Sequence, residues 1–227
     1  MKYRNPLVIG VTGGMGSGQS SVCSFFEEWG AKVINADDEA KNAIKMNKVL
    51  QSDLKKAFGA DIFDRKRKLN TKRLAELAFK DELQTRKLNQ LVHPRMVENL
   101  IEKMEKARFS GKYPLIIIDA ALIFEISIER NFDHIVVVNA PVGQRQKRVV
   151  VRDKISRKDF YDRVNKQIKL EDKVSWGDFV INNNTSLEDL KMNSQKVYNK
   201  LLDIQKAQEK PVRSKRRRNP RPAQKPS

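Results

Sequence analysis

The chain has 227 residues, room for one elaborated domain or two small ones. Hydrophobic residues make up 39% and charged residues 33%, the formal net charge is +18, and there is a single cysteine, Cys23. No apolar run is long enough to span a bilayer or form a secretory signal, an internal disulfide framework and a cysteine-built zinc site are excluded, and a soluble cytoplasmic protein is expected.

Taken in chain order, short apolar strands alternate with longer amphipathic helices. Leu7–Val11 reads as a buried strand, followed by a Gly-rich loop and a helix from about Gln19 to Trp29. Lys32–Ala36 reads as a second strand and Asp38–Phe58 as one helix. Thr71–Lys80 and Asp81–Arg108 read as helices, the second long or broken near Pro94. Leu115–Asp119 and His134–Asn139 read as buried strands, Val142–Asp153 and Lys158–Glu171 as basic helices. Phe179–Ile181 is a short strand and Ser186–Lys206 a closing helix. Strands apolar on both faces and separated by helices imply an α/β fold, a parallel sheet with helices on both sides. The helix-rich stretch of about 41–108 exceeds a simple crossover and is expected to be an inserted, substrate-side subdomain. From Lys210 to Lys225 there are eight basic residues and no acidic one. With its prolines, the stretch 210–227 is expected to be a disordered tail after a domain covering 1–209, able to bind polyanions weakly through phosphate contacts.

The sharpest signal is Gly13-Gly14-Met15-Gly16-Ser17-Gly18-Gln19-Ser20. It follows an apolar strand and precedes a helix, the setting a phosphate-binding loop of the G-x-x-x-x-G-K-[ST] type requires. Glycines let successive backbone N–H groups turn toward phosphate oxygens, and the following helix adds the positive end of its dipole. Ser20 is placed to coordinate Mg²⁺. Gln19 stands where the pattern has a lysine, so an amide that can donate hydrogen bonds but carries no charge replaces the ammonium.

This loop, followed by Val33-Ile-Asn-Ala-Asp37-Asp-Glu-Ala-Lys41, resembles dephospho-CoA kinase, whose pattern runs T-G-G-I-G-S-G-K-S and then V-I-D-A-D-x-x-A-R. Leu91-Val-His93-Pro94, Asp119-Ala-Ala-Leu-Ile-Phe-Glu125, the Arg148, Arg152 and Gln167 positions, and Asp178-Phe-Val-Ile-Asn-Asn183 continue the resemblance in the same order, over roughly residues 6–205. The departures are Gln19 for the loop lysine, Asn35 for the first Asp of D-A-D, Lys41 for its closing arginine and Ala121 for a proline.

The resemblance implies a P-loop kinase that moves the γ-phosphoryl of ATP, as its Mg²⁺ complex, to the ribose 3′-hydroxyl of dephospho-CoA. It implies Gly14, Met15, Gly16, Ser17, Gly18, Gln19, Ser20 and Ser21 as the ATP-phosphate site and Asp37 as the catalytic base. It makes Arg148 and Arg152 catalytic cations on a lid at about 144–170, both exposed while that lid is open. Thr12, His93 and Glu125 are weaker candidates near the substrate. A helix cap is the structural alternative for Asp37, and a helix anchor for His93. Two other readings stay open: a nucleotide-binding member with catalysis weakened by Gln19, and a polyanion-binding protein acting through the tail.

Overall fold

A computed structural model of the chain describes residue 3 and residues 5–64 and 68–209. The tail of 210–227 lies outside the described residues, and with it the expectations of disorder and polyanion binding. Five strands, β1 (Leu7–Gly13), β2 (Lys32–Asn35), β3 (Leu115–Asp119), β4 (His134–Asn139) and β5 (Phe179–Asn182), form one parallel sheet in the order β2-β3-β1-β4-β5. Every residue of β1 and β3 is buried. Alternation along the strands divides their side chains between two cores. Leu7, Ile9 and Val11 pack with Val22 and Phe26 of α1 (Gln19–Glu28) and Leu201 of α9 (Leu187–Glu209). Val8, Ile116 and Ile118 point the other way, onto Met96, Leu100 and Met104 of α5 (Glu82–Ser110).

A third core belongs to the helices between β2 and β3. It joins Ile44 of α2 (Ala36–Met46), Leu50 and Leu54 of α3 (Lys48–Phe58), Leu74 of α4 (Thr71–Ala78) and Val92 of α5. The single helix expected over Asp38–Phe58 is therefore two. Asn47 ends α2 and caps α3 by accepting from the Leu50 N–H at 3.0 Å, while the Gln51 amide donates to the terminal carbonyls of Ile44 and Lys45. The helix α5 runs unbroken through Pro94. The expected helix Lys158–Glu171 is likewise two, α7 (Arg157–Val164) and α8 (Leu170–Trp176), following α6 (Val142–Asp153). Ser156 starts α7 with a reciprocal capping box to Asp159. Among the described residues no helix is long and apolar enough to cross a membrane.

Because β1 lies between β3 and β4, the connections leave it toward both edges of the sheet. The carboxyl ends of β1, β2 and β3 open at that switch point, where open α/β sheets bind ligands.

Candidate active site

Residues 14–18 carry the chain from β1 into α1. Gly16 and Gly18 hold positive φ angles of 79° and 96°, conformations that carry little penalty only for glycine. A Cβ at Gly18 would also strike the side-chain amide of Asn183, which donates to the Ser17 carbonyl at 2.7 Å and pins the loop to the end of β5. The Ser17 hydroxyl is buried with no hydrogen-bond partner among the described residues. Gly14, Met15, Gly16, Ser17, Gly18, Gln19, Ser20 and Ser21 all line one cleft of about 400 Å³. The first turn of α1 aims its N–H groups and dipole at that space.

Opposite the loop the cleft meets the ends of β2 and β3. Parallel register sets Asn35 beside Asp119, and the Asn35 amide donates to Asp119 Oδ2 at 2.9 Å. The Gln19 amide donates to the other oxygen, Oδ1, at 2.5 Å. Asp119 is only 7% exposed, so a buried carboxylate is held by two neutral amides. Cys23 lies close by; burial first, and then the Asp119 charge, holds its thiol well above the ordinary range.

Asn35 also caps α2, accepting from the Asp38 N–H at 3.1 Å. The cap considered for Asp37 is thus made by Asn35. Asp37, in the first turn of α2, has no hydrogen-bond or ion-pair partner among the described residues, since Lys41 pairs with Asp38 instead. The Asp37 carboxyl is held above its ordinary value. Partial loss of water within the cleft is the main cause; the Asp119 and Asp38 charges add to it and Lys41 opposes it.

Arg148 and Arg152, both on α6, differ. Arg152 is 65% exposed, forked onto Asp153 at 2.7 and 3.0 Å, and lines the cleft with Gln167. Arg148 is half-buried and is not part of the cleft wall. It donates to Gln144 at 3.2 Å, to both oxygens of Asn183 at 3.2 and 3.3 Å, and to the Gly16 carbonyl at 3.5 Å. Of the two arginines expected to be exposed, only Arg152 is. A third arginine, Arg145, was not singled out in the sequence. Its guanidinium is buried against Gly14, with Nε donating to the Ala140 carbonyl at 3.1 Å. Burial pushes its pKa down, opposed by Glu171 and Tyr161.

Thr12 and Glu125 lie beneath the cleft rather than in it. The Thr12 hydroxyl donates to the Ala121 carbonyl at 3.2 Å. Glu125 pairs at 2.6 Å with Lys173, which is fully buried and also donates to Ala121 at 2.8 Å. The same Glu125 oxygen accepts from the Ile168 N–H at 3.1 Å, so it ties the turn that carries Gln167 to the loop after β3. No pattern in the sequence marks Lys173 among so many lysines. His93 lines a second cleft of about 490 Å³, largely apolar, built from α2, α4, α5 and the loop after β3. Burial pushes its pKa down, which keeps the ring neutral near pH 7. Asp37 borders both clefts.

The profile of the dephospho-CoA kinase family matches residues 7–189. A dephospho-CoA kinase of Aquifex aeolicus is 35% identical over 193 residues, covering 85% of this chain and 96% of that protein. One of Fusobacterium nucleatum is 35% identical over 184 residues, covering 81% and 93%. Among solved structures, dephospho-CoA kinase from Campylobacter jejuni superposes with a TM-score of 0.67 at 25% identity, covering 88% of this chain and 98% of that one. TT1252 from Thermus thermophilus superposes with a TM-score of 0.73 at 30% identity, covering 87% and 98%.

Proposed function

The chain belongs to the dephospho-CoA kinase family, and from that premise we propose how its own residues phosphorylate the ribose 3′-hydroxyl of dephospho-CoA with ATP, giving coenzyme A and ADP. The triphosphate lies along Gly14–Ser21 with its oxygens on the loop N–H groups and the start of α1. Arg152, exposed at the cleft, turns from Asp153 to the phosphates as the lid closes. Arg148 holds the lid helix to the loop and to Asn183, shaping the nucleotide end of the site.

The acceptor occupies the second cleft. Its apolar walls, among them Leu74, Leu88 and Met96, suit the pantetheine arm, and Lys41 on the rim suits the diphosphate. His93 supplies a neutral polar contact within that cleft. The observation that carries this reading is the position of Asp37, on the wall shared by the two clefts and without a partner of its own. An unpaired carboxylate there can orient the 3′-hydroxyl and accept its proton as the oxygen attacks phosphorus.

Magnesium enters with ATP. The Ser20 hydroxyl lines the loop cleft and is a hard oxygen donor of the kind this cation prefers. Among the described residues no group of three or more His, Cys, Asp or Glu could hold a metal on its own, so phosphate oxygens would complete the shell. Once bound, the ion neutralises charge on the phosphates. The reaction and its soluble substrates fit a cytoplasmic enzyme.

Asp37→Asn tests the reading. It keeps the shape of the side chain and removes its charge and basicity. ATP binding should persist while phosphoryl transfer falls by about 100-fold or more. Turnover within a few-fold of wild type would remove Asp37 from the role of base.

A further inference from the structure

We propose that Gln19 and Asn35 form an interdependent pair around Asp119, in which Asp119 is a positioning residue that holds Gln19, and that an amide at 35 is required because an amide stands at 19. The two positions are far apart in sequence, yet both side chains end on the same buried carboxylate, one on each oxygen. The orientation of Asn35 is set independently. Its Oδ1 accepts from the Asp38 N–H, which leaves only the NH₂ end to face Asp119. Gln19 gives one of its N–H groups to Oδ1, leaving one neutral N–H to offer a phosphate.

No lysine, arginine or histidine lies within ion-pair distance of Asp119 among the described residues. The carboxylate is tolerated because two amide donors satisfy it. A carboxylate at position 35 could still cap α2. Its second oxygen, however, would meet Asp119 Oδ2 where an N–H···O bond of 2.9 Å now stands, with no cation to bridge the two charges. An ammonium at position 19 would supply that cation. The family pattern has lysine and aspartate at these two positions, and this chain differs at both. Replacing one cation and one anion together leaves the net charge of the cluster unchanged. The proposal rests on the geometry around Asp119 and holds whether or not Asp37 is the base.

A double-mutant cycle tests it. Asn35→Asp alone should lower Tm at pH 8 by about 5 °C or more, since it leaves a buried charge uncompensated. The loss should shrink at pH 5, because a carboxyl opposed by a like charge costs stability when ionised and little once protonated. In the Gln19→Lys background the same Asn35→Asp change should cost less than half as much, and the accompanying loss of kcat/KM for ATP should be relieved in parallel. Asp119→Asn should relieve it as well, by removing the opposing charge. If Asn35→Asp folds poorly on its own, recovery of soluble, cooperatively melting protein in either background makes the same point. Equal losses in all three backgrounds, independent of pH, would overturn the proposal.

Discussion

The role proposed for Asp37 carries a pH signature set by its surroundings. The cleft holds its carboxyl above the ordinary aspartate value of 3.8. A base must be ionised to work, so the acidic limb of the kcat/KM profile should lie above 3.8 and activity should rise with pH through it. The same shift fixes the sign of a stability effect. A carboxyl whose folded pKa exceeds its unfolded value costs stability above the folded pKa, and nothing below the unfolded one. Asp37→Asn should therefore leave Tm at pH 7 unchanged or slightly raised while transfer falls by about 100-fold or more. Thermal melts beside initial rates check both halves; a clear fall in Tm would mean the carboxylate is structural. The placement of Asp37 after a short apolar strand was legible in the sequence. The clamp of Gln19 and Asn35 on Asp119 was not, because it depends on the register that brings the ends of β2 and β3 side by side.

Arg148 and Arg152 of α6 differ in burial, and two substitutions should separate their roles. Arg152→Ala removes an exposed side chain whose pair with Asp153 contributes little to stability. It should lower kcat/KM for ATP by roughly 10-fold or more, through loss of a charged hydrogen bond to phosphate, with Tm unchanged. Arg148→Ala breaks the links from α6 to Gly16 and Asn183 and should lower Tm as well as ATP affinity. Equal behaviour of the two in melts and kinetics would contradict this division. The anchor of the following turn is the Lys173–Glu125 pair. Lys173→Ala would strand a partly buried carboxylate and should cost about 3–5 kcal/mol, measurable by urea unfolding; a loss below about 1 kcal/mol would show that Glu125 finds another partner. Periodicity and loop glycines made most elements readable. The two helices read as continuous were broken without glycine or proline at the joint: Asn47 serves both neighbours of the first break, and Ile168 in the second is fixed by Glu125 from a distant loop.

At the scale of the molecule, three cores frame two clefts. Two cores hold the sheet, and with it the phosphate loop and the strand ends. The third makes the helical unit that forms much of the largely apolar second cleft. The helices contributing to the third core begin at α2, directly after the strand that delivers Asn35. Asp37, with Ala121 and Leu122, lines both clefts, and the proposed reaction is placed at that junction. The most direct test is to incubate the purified protein with dephospho-CoA and Mg·ATP and follow the product by ³¹P NMR. The predicted result is coenzyme A, carrying a new monoester phosphate on the ribose 3′-oxygen and formed one-for-one with ADP. ADP released without a phosphorylated acceptor, or no ADP at all, would contradict the account.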